Sequence, residues 1–268
     1  MPMLETADGA LYYDVTDLTP PWHESPETII FHHGVAIHHG IWARWWPVLA
    51  RRYRVVRFDM RGYGKSEVPP EDYAWSIDGL ARDLFAIADA TGAKRFHYVG
   101  ESLGGALGYY LAIHHPDRLL SLVACTAPHR GGSINWVQEW RAFIAENGMS
   151  GWSERMMDRR FAPGALPDAE WQWFHQVQSA CPAHVVAGQG EMLIDVDLSD
   201  DLTRITTPTL MIAGDSSPFL TSVTLADTHS RVPGAQMQLF AGARHGVVLS
   251  HGTPAAQAML DFLEKVAA

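Results

Sequence analysis

Gly100-Glu101-Ser102-Leu103-Gly104 satisfies the pattern G-x-S-x-G between an apolar strand-like run, Phe96 to Val99, and a segment of helical spacing that begins near Leu103. In that setting the chain must turn sharply, and flanking glycines let strand and helix approach without Cβ clashes. The serine hydroxyl then projects above the sheet edge as a nucleophile, and the helix N-terminus beneath it favours developing negative charge. A hydroxyl needs a base to attack a carbonyl. His245, in Gly242-Ala243-Arg244-His245-Gly246, follows the last strand-like run and precedes the final helix, which makes it the candidate base among fourteen histidines. His33-Gly34-Val35 follows a buried run, where a backbone N–H can face a tetrahedral oxyanion. Val35 N–H and Leu103 N–H are the expected donors, each worth roughly 3 kcal/mol to such a transition state.

A third group should accept from His245 Nδ1–H and stabilise the imidazolium formed during attack. Asp215 is the expected acid because it stands at the carboxyl end of the run Thr209 to Ala213, on the side where the nucleophile projects. Asp195, Asp197, Asp200 and Asp201 precede that run, and the exit Cys125-Thr126-Ala127-Pro128 carries no carboxylate. The competing reading is that Asp215 only shapes its turn. Other polar clusters carry less chemistry. His32, His33, His38 and His39 match no metal-ligand spacing and have no interleaved carboxylate, so they are expected to be solvated loop histidines and no metal is expected. The stretch Asp59 to Ser66 ends in G-K-S, but aspartate stands where a phosphate loop needs its first glycine. It reads as a turn held by side-chain hydrogen bonds.

The elements that must position these residues alternate in the manner of an α/β protein with a mostly parallel sheet. Strands are expected at Leu11 to Val15, Thr28 to His32, Arg54 to Phe58, Phe96 to Val99, Leu119 to Ala124, Thr209 to Ala213 and Gln236 to Phe240. Helices are expected at Ile41 to Arg52, Ile77 to Thr91, Leu103 to His115 and Thr253 to Val266, the last with Thr253 as N-cap. From about Gly131 to Asp201 the rhythm breaks, and Trp136, Trp140, Trp152, Trp171, Trp173 and Phe174 recur at helical spacing. This predicts a helical cap at residues 131–201 inserted between core segments 1–130 and 202–268. Trp136, Trp140 and Trp173 are expected to line an apolar or aromatic substrate pocket, against the alternative that they pack the cap onto the core.

Thirty acidic against twenty basic residues give a net charge of -10, which disfavours nucleic acid and anionic membrane surfaces as partners. The N-terminus lacks a secretory pattern and no run approaches the roughly 18 apolar residues of a membrane span. With Cys125 and Cys181 outside any CxxC pair, a cytoplasmic location is expected, with a small-molecule substrate and an oligomeric state left open.

The segments HHGVAIHHGIW, FDMRGYGKS, YVGESLGGALGYYLAIHHPDRL, PTLMIAGD and GARHG together resemble the α/β-hydrolases, in the group of oxoadipate enol-lactonases, aryl esterases and cofactor-free haloperoxidases. The resemblance implies the nucleophile and base roles for Ser102 and His245, the oxyanion donors Val35 and Leu103, and hydrolysis of a carboxylic ester or lactone without a cofactor. It departs from the group at one place: where G-x-x-D is usual, this chain reads Gly214-Asp215-Ser216-Ser217. Carbon–carbon bond hydrolysis, perhydrolysis and non-catalytic ligand reception use the same fold and remain alternatives.

Overall fold

The computed structural model describes residues 2–266. Among the described residues eight strands, β1 (Met3–Leu4), β2 (Leu11–Thr16), β3 (Thr28–His32), β4 (Arg54–Phe58), β5 (Phe96–Glu101), β6 (Leu119–Cys125), β7 (Thr209–Gly214) and β8 (Gln236–Phe240), form one sheet in the order β1-β2-β4-β3-β5-β6-β7-β8. β2 pairs antiparallel with β1 and β4, and every other pairing is parallel. Each expected strand forms, several of them extended by a residue or two, and β1 is an addition. The register sets His32 beside Gly100, Glu101 beside Cys125 and Cys125 beside Ile212. The carboxyl ends of β3, β5, β6 and β7 therefore lie side by side, and the loops that leave them share one edge.

The helices are α1 (Trp46–Leu49), α2 (Ile77–Ala90), α3 (Leu103–His114), α4 (Trp140–Arg160), α5 (Asp168–Ser179), α6 (Ala183–Ile194), α7 (Ser222–Arg231), α8 (Val247–Ser250) and α9 (Gly252–Val266). Successive strand residues point to opposite faces, and the core divides accordingly. Ile30, Val56, Tyr98 and Leu122 pack with Leu84 and Ile87 of α2 and Leu107 and Leu111 of α3. Phe31, Val55, Val99, Val123 and Ile212 pack with Leu49 of α1 and Met259, Phe262 and Leu263 of α9. Full burial of each such side chain contributes about 1.5–3 kcal/mol, so both helix layers are held firmly to the sheet.

Two helix expectations are corrected. The segment Ile41 to Arg52 forms only a 3-10 turn at His39–Trp42 and the short α1, because Pro47 can open a helix but disfavours one that runs into it. Helix α9 begins at Gly252, so Thr253 lies within its first turn instead of capping it. Residues between β6 and β7 carry α4, α5 and α6. Their entry and exit are zipped by an antiparallel bridge, Arg130 to Asp197, flanked by Gly131 N–H to the Val196 carbonyl at 2.8 Å and Leu198 N–H to the His129 carbonyl at 2.9 Å. Gly148, at φ 67° and ψ 177°, breaks α4 into two pieces. No helix among the described residues is long and apolar enough to cross a membrane.

Candidate active site

Ser102 links β5 to α3 with φ 53° and ψ -113°, a region that L-residues avoid. Its N–H donates to the Cys125 carbonyl at 2.9 Å and its carbonyl accepts from Ala106 N–H at 2.9 Å, which fastens the turn between β6 and the helix. The glycines do what the motif requires. A Cβ at Gly100 would overlap the Gly104 carbonyl, and one at Gly104 would stand 2.6 Å from the His32 ring and carbonyl. Leu103, the first residue of α3, has an N–H with no intrahelical acceptor. Val35, 2% exposed, lies on the loop after β3 and lines the same cavity as Ser102.

His245 stands on the loop between β8 and α8, with Nε2 at 3.1 Å from Ser102 Oγ and the Phe219 ring 4.9 Å away. Burial, then the nearby Arg160 charge, holds the imidazole well below its usual pKa, so the ring is neutral at neutral pH. A neutral ring whose Nε2 accepts from the serine hydroxyl carries its hydrogen on Nδ1. That Nδ1 is buried and has no hydrogen-bond partner.

The expected acid does not meet it. The exposed Asp215 carboxylate accepts from Gly242 N–H and from the Ser216 hydroxyl, both at 2.8 Å. Asp215 thus clamps the end of β7 to the turn after β8. Standing directly after the strand, it engages that neighbour. Ser217, buried where an acid is usual, accepts from Leu220 N–H at 3.4 Å.

Two buried charged side chains escaped the sequence reading. Neither Glu101 oxygen makes a hydrogen bond of good geometry, and one lies 3.7 Å from His245 Nε2. Burial raises its carboxyl to about 7 against the opposing pulls of Arg160 and of the nearby Gly34 N–H. Arg160, at the end of α4, is 3% exposed and lies 3.6 Å from Glu101. Both left a trace. Glu101 is an acid on the last residue of a strand buried throughout, and Arg160 continues the i, i+4 row of Trp152 and Met156, which faces the core.

Ser102 and His245 open into a narrow cavity of roughly 20 Å³ walled by Ile134, Trp140, Leu193 and Phe219 as well as Arg160. Of the three expected tryptophans only Trp140 lines it. Trp136 packs on Arg159 and Phe219. Trp173 stands edge-on to His38 at 5.5 Å, because its face of α5 meets the loop after β3.

The histidine cluster is also corrected. His32 and His33 are buried, not solvated, and His33 accepts from Met60 N–H at 2.8 Å. His38, His39 and Asp59 bring ligand-type atoms within 4.8 Å of one another. Asp59 is already engaged there, accepting from His39 N–H at 2.9 Å and ring N–H at 2.6 Å and from Lys65 N–H at 2.9 Å. Those bonds, with Ser66 Oγ donating to the Asp59 carbonyl at 2.5 Å, build the turn expected of the stretch that ends in G-K-S.

Comparison with known proteins agrees with this architecture. A relative named "Putative carbamate hydrolase RutD", from Stutzerimonas stutzeri, is 30% identical over 259 residues, spanning 88% of this chain and 91% of its own. The 3-oxoadipate enol-lactonase 2 of Acinetobacter baylyi is 28% identical over 72% of each chain. A crystal structure of a hydrolase from Pseudomonas aeruginosa superposes with a TM-score of 0.87 at 27% identity, covering 98% of this chain and 97% of that one. The family model described as alpha/beta hydrolase fold matches residues 27–252, and the chain belongs to that family.

Proposed function

We propose that this protein is a serine hydrolase that cleaves a carboxylic ester or lactone of a small molecule through an acyl-Ser102 intermediate. The observation that carries the reading is the 3.1 Å approach of His245 Nε2 to Ser102 Oγ at a strained strand-to-helix turn. Ser102 Oγ attacks the carbonyl carbon while His245 Nε2 takes its proton. The oxyanion is held by Val35 N–H and Leu103 N–H. Collapse expels the leaving oxygen, which receives the proton from His245. Water then attacks the acyl carbon by the same route, releasing the acid and restoring Ser102. The names of the relatives, a lactonase and a carbamate hydrolase, support attack on an acyl carbon bonded to a heteroatom. The helices of residues 131–201 act as the cap, and the scheme calls on no metal or organic cofactor.

The test is a panel of esters, lactones and vinylogous diketones with the wild type and Ser102→Ala, beside labelling by a fluorophosphonate probe. Ser102→Ala should lose about 10⁴-fold or more in turnover, and labelling should vanish at an unchanged thermal midpoint. Activity of Ser102→Ala within tenfold of wild type overturns the serine mechanism. A wild type that neither labels nor turns over any substrate favours a receptor.

A further inference from the structure

Arg160 is a guanidinium taken out of water at the wall of the nucleophile's cavity and left with donors to spare. Nη2 donates to the Val35 carbonyl at 3.2 Å, whereas Nε and Nη1 are buried and donate to nothing. The acid beside it, Glu101, stands at 3.6 Å, an ion-pair distance too long for a hydrogen bond. Trp140 lines the same cavity, and its buried indole N–H also lacks an acceptor. The remaining wall is largely apolar, formed by Val35, Ile134, Leu193, Phe219 and Leu220. A neutral substrate offers the guanidinium only carbonyl or ether oxygens, whereas a carboxylate adds charge to the hydrogen bond, and the unmade hydrogen bonds cost stability in its absence.

We propose that the cavity takes a substrate bearing its own carboxylate, a small anionic ester or lactone, and that Arg160 binds that carboxylate and determines specificity. The inference rests on the hydrolase reading only for the ester or lactone bond. Glu101 is the rival for the guanidinium, and its carboxyl is held near 7, so near neutrality it can take up a proton as an anionic substrate arrives and leave Arg160 to it.

The experiment compares matched pairs, methyl esters of straight-chain acids and the monomethyl esters of dicarboxylic acids of the same chain length, across two to five methylenes. Wild type, Arg160→Met and the charge-balanced double variant Arg160→Met/Glu101→Gln are assayed, the double variant covering instability of the single one. The wild type should favour the anionic member of its best pair by roughly 10- to 100-fold in kcat/KM, the range of a charge-assisted hydrogen bond. Both variants should bring that ratio to about one or below. A guanidinium that only braces the Val35 loop would lower both members alike and preserve the ratio, which overturns the proposal. Calorimetric binding of the same monoesters to Ser102→Ala, with and without Arg160→Met, needs no turnover. Binding lost with Arg160, in a protein that cleaves no ester, leaves the carboxylate site standing and removes the hydrolase reading. Turnover of neutral esters with no anionic preference and no anion binding does the reverse.

Discussion

Substituting Glu101 by Gln should make the protein more stable at neutral and alkaline pH while leaving it nearly unchanged in acid. The Glu101 carboxyl is wholly enclosed, and burial lifts its pKa from 4.5 to about 7 even with Arg160 beside it. Between those values the folded protein holds a proton that the unfolded chain has released. Stability therefore falls as pH rises through that window and stays reduced above it. At 1.36 kcal/mol per pH unit, the full loss is about 3 kcal/mol. Gln matches the protonated acid in shape and charge, so the variant escapes the loss. For a chain of 268 residues the gap corresponds to about 6 °C in thermal midpoint.

The difference between the two proteins is the quantity to measure, because other groups tilt the profile the opposite way. Burial lowers His33 to about 3 and His32 to about 4, and holds His245 well below 6.5. These rings are neutral when folded and protonate on unfolding below pH 6.5, so they add stability as pH rises towards that value. They are common to both proteins and cancel. Thermal midpoints of wild type and Glu101→Gln should coincide near pH 4.5 and separate progressively to pH 8. A constant offset refutes the linkage. A variant less stable than wild type at pH 8 would show that the Arg160 pair stabilises more than the buried carboxylate costs.

Asp215→Asn should retain kcat/KM within roughly threefold and lose about 1–2 kcal/mol of stability, since its carboxylate serves the Gly242 turn and not His245. A fall of 10³-fold in acylation, measured by pre-steady-state burst, would show that the carboxylate reaches Nδ1 after all. Trp140→Ala should redistribute relative rates across an ester panel, whereas Trp173→Ala should leave them parallel. The opposite pattern would move the pocket wall from the end beside α6 to the loop after β3. Gly104→Ala should abolish fluorophosphonate labelling, because its Cβ meets the His32 ring and carbonyl at 2.6 Å. Normal labelling would refute the close packing of α3 on β3.

The parts of this molecule set by local chemistry were legible in the residues. Strand limits followed from apolar runs, and the turn at Ser102 followed from glycines whose absence of Cβ is demanded within a few residues of chain. The chain position of Asp215 tells which end of the sheet it occupies but not the direction of its side chain, which meets Gly242 N–H. That direction depends on the path of the turn after β8, a contact 27 residues away in sequence. Trp173 and Trp140 sit at equivalent helical spacing, and only the break at Gly148 and the packing of α4 on α5 and α6 decide which ring meets the cavity. Arg160 and Glu101 make the same point from the other side. Each is unremarkable by motif, yet each interrupts a buried apolar row, and a charge that a fold retains in such a row costs several kcal/mol if left unpaired. In a site whose histidine lacks an acceptor at Nδ1, these two charges are what remains to set the electrostatics of the imidazolium. The charged groups that stand within 4 Å of one another beside His245 come from the last residue of β5 and the last residue of α4.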